Sequence, residues 1–129
     1  KLSMSFTGFI KAAVPFAVAE EQSSEWRSWC GAAEWIVDAL LGTGTQGAPR
    51  PPYDALIRLM NKLPARKLAL DLPSGLDCDT GAAADPTFRA QHTCTFAAAK
   101  PGLLVEQARP YVGELHVLDI GLPIEWLVG

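Results

Sequence analysis

No stripe of lysine and arginine, no C-x-x-C pair and no apolar run long enough to span a bilayer occurs in this sequence. Each absence removes a class of function. Lys and Arg number 11 against 14 Asp and Glu, for a net charge of −3, so the chain has no electrostatic footprint for nucleic acid. Cys30, Cys78 and Cys94 are odd in number and widely separated, which argues against a disulfide framework and for a reduced, cytoplasmic compartment. His92 and His116 are the only histidines. They lie far apart in sequence without metal-ligand spacing, and read as surface or hydrogen-bonded side chains rather than zinc ligands. No signal peptide is evident and no membrane partner is expected. The opening stretch KLSMSFTGFIKAA lacks an initiator Met, as a fragment or a processed chain would.

What is present fits one small domain over residues 1–129, long enough for a single hydrophobic core. Phe6, Phe9, Ile10 and Ala13 follow helical spacing over residues 3–13, VPFAVAE (14–20) reads as a buried strand, and residues 21–33 as a short helix or turn. Strands are expected in EWIVDALLG (34–42), ARKLALD (65–71), HTCTFAA (92–98) and ELHVLDIG (114–121). A helix should begin at Pro51 and Pro52, with Leu56, Leu59, Met60 and Leu63 on one face. Unbroken apolar strands separated by helices indicate an α/β fold with a mostly parallel sheet covered on both faces. Three of the strands end in aspartate: Asp38, Asp71 and Asp119. Ligands of open parallel sheets bind beyond the carboxyl ends of the strands, so Asp38 and Asp71 share one rim if their strands are neighbours.

Two stretches at that rim carry chemistry. After Asp38 comes GTGTQGA (42–48), neither a Walker A loop nor a G-x-G-x-x-G fingerprint. It reads either as a plain strand–helix connection or as a phosphate cradle of backbone N–H groups. The stretch DLPSGLDCD (71–79) gathers Asp71, Ser74, Asp77 and Asp79. Such oxygens suit a hard cation, Asp71 suits general acid or base work if burial raises its pKa, and turn capping explains them equally. Lys100 reads as a solvated lysine at a strand end, with an ammonium placed near a phosphate or an acidic intermediate as the alternative. Ser74 lacks a G-x-S-x-G elbow and a histidine partner, which argues against a hydrolase triad.

In this order, IVDALLGTGTQGAPRPPYDALI, LALDLPSGLDCDTG, TFAAAKPGLL and GELHVLDIGLP closely resemble the YjeF N-terminal domain family, whose enzymes are NAD(P)H-hydrate (NAD(P)HX) epimerases. The resemblance covers residues 34 to 123. It implies a Rossmann-like, three-layer α/β sandwich, often dimeric, and an isomerase of nicotinamide cofactor repair. That enzyme interconverts the R and S forms of NADHX and NADPHX, binds a potassium ion, and works with an ATP- or ADP-dependent dehydratase. By this resemblance Asp38 and Ser74 match potassium ligands. Gly42, Thr43, Gly44, Thr45, Gln46, Gly47 and Ala48 match the substrate-contacting loop, and Asp71 the catalytic aspartate. The family's Asn-Asn-Gly-Gly-Asp-Gly loop has no counterpart here. The chain is therefore expected to be the rear part of the domain, lacking N-terminal strand and helix and inactive by itself. A non-catalytic binding or scaffold module of the same fold is the alternative.

Overall fold

The computed structural model describes residues 28, 30–45 and 47–123. Four short strands, β1 (Trp35–Asp38), β2 (Arg66–Leu70), β3 (His92–Phe96) and β4 (Glu114–Leu118), form one parallel sheet in the order β1-β2-β3-β4. Parallel neighbours require crossovers. The first is helix α1 (Tyr53–Lys62), with Asp54 in its first turn and Lys62 in its last, each complementing the helix dipole. A long loop containing the bridge Leu76↔Ala83 makes the second. The third is built from helix α2 (Pro101–Leu104), a 3₁₀ turn (Glu106–Ala108) and helix α3 (Arg109–Val112). Pro sits at the start of both of these short helices, where its missing N–H costs nothing.

All three crossovers bury their apolar side chains against the same face of the sheet. Leu56, Ile57 and Met60 of α1 pack with Ile36, Ala69, Phe88 and Ala90. Ile57 is the innermost α1 side chain, while the expected Leu59 and Leu63 flank this cluster half-buried. A second cluster joins Leu72 and Leu76 to Leu103, Ala108 and Val112. Between them Thr93 and Thr95 point inward from β3, fully buried. The Thr93 hydroxyl donates to the Val112 carbonyl at 2.7 Å, so its burial leaves no orphan donor.

The sequence and the structure agree on a Rossmann-like α/β fold with a parallel sheet. Of the three expected layers, the sheet and one helical layer fall within the described residues. The helix expected over 3–13 and the strand expected over 14–20 lie outside them, as does most of 21–33. Among the described residues no helix is long and apolar enough to cross a membrane.

Candidate functional site

Because β1 and β2 pair in parallel with Asp38 opposite Ala69, Asp38 and Asp71 leave the sheet at the same rim. They serve different neighbourhoods. Asp38 is fully buried at the end of β1. Its Oδ2 accepts the Ser74 backbone N–H at 2.7 Å, while Oδ1 accepts the Ser74 hydroxyl at 2.7 Å and the Leu40 N–H at 3.2 Å. The Ser74 Oγ in turn accepts the Leu41 N–H at 3.0 Å. The pair therefore ties the loop after β1 to the loop after β2. Burial pushes the Asp38 carboxyl above its usual range, against the opposing hydrogen bonds from Ser74 and Leu40.

Among the described residues no lysine or arginine lies within ion-pair distance of Asp38. Its donors are all neutral. A buried carboxylate without a countercharge, beside a serine hydroxyl, is an all-oxygen donor set that a hard cation would complete. The residues present thus fit a cation such as potassium.

Asp71 stands at φ +69°, a left-handed conformation uncommon outside glycine, Asn and Asp. This turn swings its side chain toward β3. Oδ1 accepts the Lys100 ammonium in a close ion pair, the Thr95 hydroxyl at 3.2 Å and the Phe96 N–H at 3.4 Å. Lys100 Nζ also donates to Thr95 Oγ1 at 2.9 Å and the Phe96 carbonyl at 3.2 Å. Every one of these donors converges on Oδ1; among the described residues Oδ2 accepts none. Partial burial pushes the Asp71 carboxyl up. The hydrogen bonds from Lys100, Phe96 and Thr95, with the Lys100 charge, outweigh that and hold it below the ordinary carboxylate range. Asp71 is thus a resident carboxylate, contrary to the raised pKa that acid chemistry would require.

Lys100 is not the solvated lysine expected from sequence. Its partner Asp71 lies 29 positions away, a distance that no local pattern can bridge. The four clustered oxygens also separate. Asp77 Oδ1 accepts the N–H groups of Asp79 and Thr80 and the Thr80 hydroxyl, closing a turn. Those bonds hold the Asp77 carboxyl below its usual range. Asp119 likewise caps a turn through the Gly121 N–H at 2.8 Å.

A cleft of about 230 Å³ opens between the two rim loops, lined by Gly42, Thr45, Gly47 and Ala48 on one side and Leu72–Asp77 on the other. Thr43 and Gly44 continue the exposed loop, and Gln46 lies outside the described residues. The opposite wall is stiffly supported. Gly75 has φ +93°, and a Cβ there would meet the Pro86 carbonyl at 2.5 Å. Gly102 of the KPG segment donates its N–H to the Cys78 carbonyl at 2.7 Å, closing α2 onto the same loop. The separate motifs are thereby one packed unit.

His92 and His116, read from sequence as surface or hydrogen-bonded side chains, meet across β3 and β4. Parallel register sets His92 opposite Glu114 and Cys94 opposite His116. His92 Nδ1 and His116 Nε2 consequently approach to 3.2 Å, with the Glu114 carboxylate beside both.

Comparison with known proteins identifies relatives of the chain. A family model described as YjeF-related protein N-terminus matches residues 6–102, so the match begins well before the motif-bearing stretch and ends at α2. The chain is 50% identical over 91 residues to the NAD(P)H-hydrate epimerase of Pirellula staleyi, covering 70% of this chain and 40% of that protein. It is 52% identical over 93 residues to a bifunctional NAD(P)H-hydrate repair enzyme of Leishmania braziliensis, covering 72% and 16%. With the bifunctional NAD(P)H-hydrate repair enzyme of Escherichia coli the identity is 48% over 101 residues, covering 78% and 19%. The chain thus spans less than half the length of each of these relatives. Three-quarters of its length lies in the matched segment, which contains Asp38, Asp71, Ser74 and Lys100. The chain belongs to the family of YjeF-related protein N-termini.

Proposed function

We propose that this chain belongs to an isomerase of nicotinamide cofactor repair, which interconverts the R and S epimers of NADHX and NADPHX. The activities for which its relatives are named support that substrate class. The observation that carries the reading is the Asp71 carboxylate, held through Oδ1 with Oδ2 unbonded among the described residues, on the rim where the next residue, Leu72, lines a cleft walled by a glycine-rich loop. Gly42, Thr45, Gly47 and Ala48 offer backbone groups and space to the phosphates of a dinucleotide. Thr43, Gly44 and Gln46 belong to the same substrate loop.

In this reading the hydroxyl leaves the hydrated ring carbon as water, taking the C–O electron pair and one proton. The ring nitrogen's lone pair then stabilises a flat cation. Water adds to the opposite face, its oxygen forming the new C–O bond while the surplus proton passes to the enzyme. The Asp71 carboxylate faces the developing positive charge and takes that proton. The departing hydroxyl takes its proton from solvent water, and the proton gained by Asp71 returns to solvent at the end of the cycle. Lys100 holds Asp71, and Thr95 fixes Lys100. Potassium would be held by Asp38 and Ser74, where its charge offsets that of the buried carboxylate. An ADP- or ATP-dependent dehydratase would consume the S epimer in the same reaction sequence, in a cytoplasmic setting.

The test supplies R-NADPHX to the full-length protein with excess S-specific dehydratase and its nucleotide, following the return of NADPH absorbance. Recovery faster than spontaneous epimerisation, lost in Asp71→Ala, is the expected result. No acceleration by a folded, potassium-loaded protein would overturn the enzyme reading and leave a binding module of the same fold.

A further inference from the structure

At the amino-terminal end of the sheet, away from the Asp71 rim, His92, Glu114 and His116 bring three potential ligand atoms within 4.8 Å of one another. We propose that these side chains form a binding site for a zinc-type divalent transition-metal ion, which fastens edge strand β4 to β3.

The spacing carries the assignment. His92 Nδ1 and His116 Nε2 stand 3.2 Å apart. Glu114 lies 3.5 Å from His92 Nδ1 through Oε2 and 3.9 Å from His116 Nε2 through Oε1. The longer of those carboxylate contacts exceeds a hydrogen bond. Around a tetrahedral zinc with bonds of about 2.0–2.2 Å, neighbouring donors stand about 3.3–3.6 Å apart. The His92–His116 and His92–Glu114 spacings approach two edges of such a tetrahedron, and rotation of the exposed Glu114 carboxylate would bring one of its oxygens to the third corner. Two imidazoles and one carboxylate favour zinc and its neighbours over the hard alkaline-earth ions.

The backbone prepares the site. His92 and Glu114 are register partners, while His116 lies two residues along β4 on the same face. Regular parallel pairing thus places all three donors without a special loop. Both histidine side chains are 38% exposed and Glu114 is 67% exposed, so an ion can enter from solution and a water can take the fourth position. Strand β3 has five residues, which sets the site about 13 Å from the catalytic rim at the usual strand rise. An ion here would act on the hold of β4, not on the cofactor chemistry.

The experiment titrates Zn²⁺ into the full-length, tag-free protein, previously stripped with chelator, by calorimetry and by thermal melting. The expected result is saturable binding with a melting temperature that rises with zinc. His116→Gln and Glu114→Gln should each weaken that binding by more than about 10-fold. Co²⁺ in place of zinc should give the visible absorption of a tetrahedral nitrogen–oxygen site. Glu114 is well exposed, so Glu114→Gln provides a folded variant even if a histidine substitution does not. Absence of saturable binding overturns the proposal, as does binding that survives both substitutions unchanged.

Discussion

Ser74→Ala is the sharpest test of the tie between the two rim loops. The substitution removes one hydroxyl and leaves the backbone intact. It deletes the 2.7 Å bond donated to Asp38 and the 3.0 Å bond accepted from the Leu41 N–H. The first is buried and charge-assisted, worth about 1.5–3 kcal/mol. The second leaves a partly buried N–H unpartnered, at a cost of about 1 kcal/mol. Asp38 keeps the Ser74 N–H at 2.7 Å and the Leu40 N–H, so the expected total is about 2.5–4 kcal/mol rather than the full loss of a buried carboxylate's partners. Urea unfolding of the full-length protein should show the midpoint falling by about 1–2 M at an unchanged slope. Thr80→Ala serves as control, because it removes an exposed hydroxyl that donates to Asp77 and accepts the Ala82 N–H within one surface turn. Its midpoint should stay within error of the wild type. A Ser74→Ala midpoint that falls by less than about 0.3 M would refute the tie as a source of stability.

The remaining expectations probe charge and packing. Lys100→Met removes the hydrogen bond and the charge that do most to hold the Asp71 carboxyl low, leaving burial opposed only by the Phe96 and Thr95 hydrogen bonds; the acidic limb of kcat/KM should move to higher pH, and an unmoved limb would show that Asp71 is not the titrating group. Asp71's folded pKa is depressed, so its stabilising contribution is present above the unfolded value, about 3.9, and is lost as pH falls through the folded pKa. Asp38 has the opposite sign. Its folded pKa is raised, so its contribution is present below the unfolded value and lost as pH rises through the folded pKa. Thermal melts across that rise should show a smaller loss in potassium than in tetramethylammonium, and equal losses would remove Asp38 from the cation site. Gly102→Ala should destabilise by about 2–4 kcal/mol, because its Cβ would meet the Cys78 carbonyl at 2.7 Å and could not move without breaking the α2 closure; a urea midpoint within error of wild type would contradict that packing.

Sequence reveals the parts of this molecule that local chemistry controls. The runs WIVD, RKLAL, HTCTF and ELHVL form strands where their apolar and β-branched residues predict them. Parallel neighbours with aspartate at their ends then put Asp38 and Asp71 on one rim. The short helices of KPGLLVEQARPYVG are not legible. Pro101 and Pro110 interrupt any helical period, and each piece has only four residues. Side-chain partnership is hidden for a different reason. Neither Lys100 with Asp71 nor His92 with His116 shares a local spacing, since each pair meets only after strand register is fixed. Their consequences differ as well. Lys100 helps hold Asp71 as a carboxylate whose Oδ2 accepts no hydrogen bond among the described residues, so a residue that reads as solvated bears on the protonation state of the one that reads as catalytic. Substituting Lys100 should therefore change the chemistry at Asp71 while leaving the Asp38–Ser74 tie intact, because the two share a rim but no side-chain hydrogen bond among the described residues.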